Sequence, residues 1–270
     1  MPLRSALRRH MLGSGAVWLV LIVALFACST GQGWADPVAV RFPEGPTYGV
    51  VTLSSLAGEV LADGELIQTV RRRQVESRLV FRFKDGSLHD EATVFTQDRV
   101  FRVVSYRMVE RGSAFPHEAE VAFDRNTGRY RVRFREKPQA EEERQEGSVE
   151  MPADLYNGMG STLARHLNGG RATGHILAFT PKPRLLTMEL SPAGEDTFRI
   201  GGAARAATRY LMKLELKGAM GVLATLTGND PPSVQYWISK PVPGFLKFED
   251  PMFLQGPIWR VEPSRVRWSQ

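Results

Sequence analysis

Few residues of this chain could do acid–base or nucleophilic chemistry, and their spacing brings none of them together. Five histidines occur in 270 residues; beyond His10 they are His89, His117, His166 and His175, scattered and unpaired. Histidine is the side chain best suited to moving protons near neutral pH, so isolated histidines leave any catalytic site to long-range contacts. There is no Gly-x-Ser-x-Gly elbow, no His-Glu-x-x-His helix and no glycine loop that would cradle a phosphate. The densest polar run is His89-Asp90-Glu91. On a strand, alternation sends His89 and Glu91 to one face and Asp90 to the other, so a polar strand edge accounts for the run better than a metal or acid–base site. No catalytic residue, metal ligand or cofactor is assigned. The enzymatic alternative is a hydrolase with an unrecognised site, gathered around His89, Asp90 and Asp154.

Residues suited to holding a ligand are easier to name. Asp154 and Asn157 fall one helical turn apart, close to Gly158, and could line a pocket. A carboxylate complementing a helix N-terminus and an amide bonded to a neighbouring loop would explain the same pair structurally. Tyr236, Trp237 and Trp259, with Phe245, could form an aromatic binding wall, although aromatics at strand spacing more often build core. Lys182 and Arg184 flank Pro183 and could hold an anion, and Arg71-Arg72-Arg73 could meet lipid head groups. A solvated turn accounts for either cluster more simply.

Residues 1–35 read as an export signal. Arg4, Arg8 and Arg9 precede the uncharged run Ala16 to Ala27, which is shorter than the roughly 20 residues a spanning helix needs. Small residues at Gly33 and Ala35 mark a cleavage site before Asp36. Leu25-Phe26-Ala27-Cys28 competes with it as a lipobox; acylation of Cys28 would anchor the protein to a membrane. Arg8-Arg9 also fits a twin-arginine pattern, but paired arginines are common in ordinary signals. The expected location is periplasmic or secreted, with an outer-membrane lipoprotein as the alternative.

Removal of the signal leaves 235 residues as a single β-rich domain, 36–270, and takes away three arginines and no acid, so 32 basic residues face 29 acidic ones. A net charge of +3 and an exported destination both argue against nucleic acid. Cys28 is the only cysteine, so the mature chain has no disulfide, thiolate metal site or cysteine nucleophile, and a hydrophobic core must stabilise it. Composition does not fix the oligomeric state.

The elements that would position these residues are mostly strands. Leu79, Phe81 and Phe83 alternate with Val80, Arg82 and Lys84, then Asp85-Gly86 marks a hairpin turn. Asp63-Gly64 between Leu61 and Leu66 gives the same signal, and Val38 to Phe42 could be a first short strand. Phe101, Val103 and Ser105 alternate against Arg102, Val104 and Tyr106. Val80, Val104 and Met108 place apolar groups on the second face too, so the sheet is covered on both sides or wraps around something. Around Arg125-Asn126-Thr127-Gly128, matching the apolar faces predicts the register Phe123–Tyr130, Val121–Val132, Ala119–Phe134, which leaves Glu120 opposite Arg133 and Arg131 opposite Ala122. Leu155, Met159, Leu163 and Leu167 repeat every four residues and predict one helix near 153–168, with Pro152 in its first turn and Asn168-Gly169-Gly170 as its stop. Gly218 to Leu226 could be strand or helix, and Asn229-Asp230-Pro231-Pro232 forces a turn. About a dozen strands are expected.

Nearly all of the mature chain resembles a family of uncharacterised exported bacterial proteins. The motifs that carry the resemblance are LVFRFKDGSLHDEATVF (79–95), MPADLYNG (151–158), FTPKPRL (179–185), ATRYLMKLEL (207–216), GNDPPSVQYWI (228–238) and GPIWRVE (256–262). The resemblance brings no assigned activity. In architecture the chain also looks like exported carriers of the lipoprotein-carrier type, which hold an acyl chain in a half-closed barrel lidded by a helix. The expected fold is mainly β: a large curved antiparallel sheet or open β-barrel meander with one principal helix, or else a two-sheet sandwich. The expected function is a non-catalytic binding or carrier protein of the cell envelope for a lipid or other apolar ligand, and the alternatives are the hydrolase and a structural or assembly component of the envelope.

Overall fold

The computed structural model describes residues 37–136, 140–179, 182–200, 202–215, 233–253 and 256–264. The expected signal segment 1–35 with Cys28, the apolar run 218–226 and the expected turn at 229–232 lie outside the described residues. Strands β1 (Thr47–Ser55), β2 (Val60–Arg71), β3 (Gln74–Phe83), β4 (Leu88–Gln97), β5 (Phe101–Arg111), β6 (Glu118–Asp124), β7 (Arg129–Arg135) and β8 (Glu143–Ser148) follow one another as a meander. A linker carrying helix α1 (Gly160–Leu167) leads to a second meander: β9 (Ala172–Phe179), β10 (Pro183–Ile200), β11 (Ala203–Glu215), β12 (Val234–Ser239), β13 (Phe245–Asp250) and β14 (Trp259–Pro263). Antiparallel pairing of β1 with β14, Leu53 opposite Val261, joins the two meanders into one 14-stranded sheet. Because every described strand belongs to that sheet, the fold is the open curved sheet and not the two-sheet sandwich.

The strand order is the chain order taken as a circle and cut between β8 and β9. The sheet curls enough for strands far apart in that order to share one core: Val75, Phe95, Phe101 and Val121 pack with Met188, Leu190, Tyr210 and Tyr236. Near the cut, the rings of Tyr130 on β7 and Phe179 on β9 are 6.0 Å apart. The result is an open β-barrel, and the polar groups on its β9 edge need partners. The linker supplies them. Tyr156 N donates to His175 O (2.8 Å) and His175 N to Asp154 O (2.9 Å). One step along, the Asn157 side chain imitates a strand, accepting from Leu177 N and donating to Leu177 O, both at 2.9 Å. On the linker's other side, Arg125 at the β6–β7 turn donates to the carbonyls of Met151 and Pro152 at 2.9 and 2.8 Å.

This pairing corrects the helix predicted near 153–168. Residues 152–159 are not helical; the helix begins at Gly160 and stops, as expected, at Asn168, whose φ is 49°. Leu155, Met159 and Leu163 are all fully buried, so their spacing marked an apolar surface correctly but assigned too much of it to a helix. Gly158 breaks the pattern with φ +68°, and a Cβ there would lie 2.1 Å from Thr93 Oγ1.

Other expectations fare unevenly, for local reasons. The β6–β7 register is the predicted one, including Glu120 opposite Arg133 and Arg131 opposite Ala122. The β3–β4 turn is at Asp85-Gly86, but only Gly86 has positive φ (84°). Asp63-Gly64 is not a turn: both residues sit inside β2, and the turn comes earlier, with Gly58 at φ 90°. Gly64 instead admits the Phe81 ring, which a Cβ would meet at 2.4 Å. Val38–Phe42 contributes only an isolated bridge, Ala39 opposite Val100. In β5 a bulge leaves Val104 unpaired between Val103 and Ser105. Arg125 holds it, N donating to Val104 O (2.8 Å) and Nε to Val103 O (2.5 Å). The extra residue reverses the alternation, so Tyr106, Met108 and Glu110 face the same interior as Phe101 and Val103.

Candidate functional site

The curled sheet lines a half-open cavity of ≈ 790 Å³. That is the size of a small-molecule or single-chain lipid site. Its walls are largely apolar: Val121, Val132, Leu186, Met212 and Phe248 come from strands on both sides of the cut. Tyr156, Asn157, Gly158 and the first turn of α1 form one boundary. Gly160 at that turn has no side chain to oppose Tyr236, whose hydroxyl oxygen lies 2.1 Å from where a Cβ would be.

Set into these walls are acidic and phenolic groups from β4, β5, β12 and β13: Glu91, Tyr106, Glu110, Tyr236 and Asp250. Tyr106 donates to Glu91 Oε1 at 2.8 Å. Glu110 is buried and pairs with the buried His89, Nδ1 to Oε1 3.2 Å. That geometry makes Nδ1 the donor and leaves His89 Nε2 buried without a partner. Met252 N donates to Asp250 Oδ1 at 3.1 Å. Asp250 lies deep in the barrel yet keeps some surface turned into the cavity.

The electrostatics follow from burial and crowding. Burial first, then the charges of Glu91 and Glu110, raise the Asp250 carboxyl to about 6, against the opposing backbone hydrogen bond and His89. Burial favours a neutral His89, but Glu110, with Glu91 and Asp250 behind it, outweighs this and raises the imidazole above its ordinary value. Burial and the same carboxylates push the Tyr106 and Tyr236 phenols well up, which keeps both as neutral hydroxyls.

The residues read from the sequence are partly gathered here and partly dispersed. Asn157, Gly158 and Tyr236 line the cavity. Asp154 does not: it sits outside the helix and bonds His175 Nδ1 through Oδ1 at 2.9 Å. Trp237, one residue on from Tyr236, faces the other side of the sheet, donating to Asp196 Oδ2 (2.6 Å) beneath Lys247 Nζ, 3.7 Å from its ring centroid. Trp259 packs against Phe83, Phe115 and Phe253, beside the cavity but not lining it. A single aromatic wall of Tyr236, Trp237 and Trp259 is therefore not what forms; alternation splits the first two. Phe245 and Arg184 line the cavity, while Lys182 is exposed. Arg72 has φ 59° in the β2–β3 turn, and Arg73 pairs with Asp98 at 3.2 Å in solvent, as a turn cluster would. His89, Asp90 and Asp154 do not converge: Asp90 is on the outer face, held by Arg78 through two bonds of 2.7 Å. Glu110 and Asp250 were missed. The recoverable signal was the pair Tyr106 and Met108, whose apolar parity contradicts that of Phe101 and Val103 unless a bulge intervenes.

No family model matches the chain, and no curated protein matches it. Among solved structures it is similar to a beta-barrel-like protein of domain of unknown function DUF1849 from Brucella abortus, with 10% sequence identity and a TM-score of 0.43, over 84% of this chain and 98% of that one.

Proposed function

We propose that this is a non-catalytic binding or carrier protein of the cell envelope, exported by the segment 1–35, which holds a lipid or other largely apolar molecule inside its barrel. The observation that carries this reading is the ≈ 790 Å³ cavity with mainly apolar walls, bounded by the linker and α1. A well-packed core leaves few voids larger than a water molecule, so a half-open chamber of this size with apolar walls is surface that a guest would cover. Native mass spectrometry of freshly purified protein tests it: an apolar molecule should co-purify and leave on organic extraction. Ala119 lines the cavity, and Ala119→Trp should fill part of it and abolish that adduct while the protein stays folded. Protein that never carries an adduct and binds no acyl-chain amphiphile in solution overturns the reading.

A further inference from the structure

The polar part of the cavity carries more carboxylates than cations: Glu91, Glu110, Glu136 and Asp250 line it with Arg184, and His89 stands behind Glu110. A buried carboxylate is expensive unless it is paired with a cation and hydrogen-bonded. On the outer face this rule is met: Asp90 has Arg78, and Glu120 has Arg107 and Arg111 at 3.1 and 3.5 Å. Inside, no lysine or arginine among the described residues makes an ion pair with Glu91, Glu110 or Asp250. Their protein partners are one imidazole, one phenol and one backbone N–H.

A second observation is independent of the acids. No described residue hydrogen-bonds the Tyr236 hydroxyl, although the residue is only 7% exposed and lines the cavity. Its nearest boundary is Gly160, where the missing side chain makes room for it. A hydroxyl turned into such a chamber needs a polar partner from any guest that displaces water from it. Carboxylates accept hydrogen bonds and a phenol oxygen can also accept, so the missing group is a donor with positive charge. Aromatic rings at the same place favour a cation further.

We propose that the cavity takes an amphiphile whose head group is a protonated amine, with the ammonium seated among Glu91, Asp250 and the Tyr236 hydroxyl, and the apolar body along Val121, Val132 and Leu186. This rests on the carrier reading and names the head group its guest would carry. Each N–H of the ammonium has an acceptor, and the charge the protein lacks arrives with the ligand. A carboxylate head group at this place would add a negative charge beside Glu91 and Asp250. An alcohol would satisfy Tyr236 but leave the acids unneutralised.

Isothermal titration of the full mature protein with three submicellar ligands of equal chain length, dodecylammonium, dodecanol and dodecanoate, separates the possibilities. The amine should bind at least about tenfold tighter than the alcohol, and dodecanoate weakest. In Glu91→Gln with Asp250→Asn the amine should fall to the affinity of the alcohol. Tyr236→Phe, which keeps the ring and its packing, should reduce the preference a few-fold and guards against a misfolded double variant. Equal or tighter binding of dodecanol or dodecanoate, or a preference that survives the double variant, overturns the head-group assignment and leaves the carrier reading standing. Failure of all three ligands to bind overturns both.

Discussion

Two carboxylate sites lie inside this barrel, and they are built in opposite ways. At the helix end, Glu44 is 4% exposed and fully matched: Arg165 Nη2 donates to it at 2.7 Å, His166 Nε2 at 2.9 Å and Gln68 Nε2 at 3.1 Å. His166 is itself fixed, accepting from Arg41 N at Nδ1 (3.1 Å) and stacking on Phe42 with ring centroids 4.0 Å apart. Burial alone would raise the Glu44 carboxyl, but His166, Arg165 and Gln68 outweigh it and hold it below its ordinary 4.5. In the cavity, the same chemistry without the cations raises Asp250 to about 6. The first site locks Arg41, Phe42 and Glu44, ahead of β1, onto α1. The second is short of positive charge where the space for a guest lies. An interior can tolerate buried acids in either arrangement, but only the complete one contributes stability without a ligand.

The comparison breaks most visibly at Glu44. Glu44→Ala leaves the buried His166 and the half-buried Arg165 around a missing charge and should cost about 3–5 kcal/mol, read as a lower urea midpoint with unchanged slope. The wild-type interaction is present above the unfolded pKa and is lost as pH falls below about 4.5 through the depressed folded value. Asp250 has the opposite sign. Its folded pKa lies above the unfolded value of 3.8, so the native state is favoured at low pH and loses stability as pH rises through about 6. Asp250→Asn should therefore stabilise the ligand-free protein by on the order of 2–3 kcal/mol near pH 8 and change little near pH 4. Unfolding free energies measured across that range, showing no pH-dependent gain for the variant, would remove the claim that Asp250 is a strained acid.

How far the two sites were legible follows from which contacts are local. The β6–β7 hairpin could be read to the residue, because its apolar and charged faces both demand one register across a short turn. The mostly antiparallel open-barrel class was legible from repeated alternation. The acid cluster was not: Asp250 meets Glu91 only because the sheet curls, and Glu110 faces inward only because of the bulge at Val104. The linker deceived for a different reason. Its leucine spacing is helical, yet Asn157 and Asp154 trade helix bonds for bonds to β9, a choice made by an open sheet edge elsewhere in the chain. Glu44 carried no signal beyond its charge, since its partners are 24 to 122 residues away.

Smaller effects sharpen the boundary between the two sites. Gly158 sits where the linker meets the cavity, with φ +68° and Thr93 Oγ1 2.1 Å from a notional Cβ. Gly158→Ala combines a left-handed backbone with a clash and should cost about 1–3 kcal/mol in chemical denaturation. Thr93→Ala made in the same chain should recover the steric part but not the backbone part. Partial rescue is thus the expected outcome, and full additivity of the two losses would mean the contact does not matter.

The least effect belongs to the outer face, where charges are as numerous as in either interior site. Arg111 is 58% exposed and reaches Glu120 at 3.5 Å, while Arg107 already serves that carboxylate at 3.1 Å. Solvent screens such a pair and the long side chain loses entropy to hold it, so Arg111→Ala should change stability by less than about 0.5 kcal/mol. Raising the salt to about 1 M should erase even that difference, since exposed charges are then screened within a few ångströms. The same salt should barely alter the Glu44→Ala loss, because water and ions do not reach a carboxylate 2% exposed in its side chain. A salt-insensitive Arg111 effect, or a Glu44 effect that vanishes in salt, would show that burial is not what separates the helix-end carboxylate from the wet face.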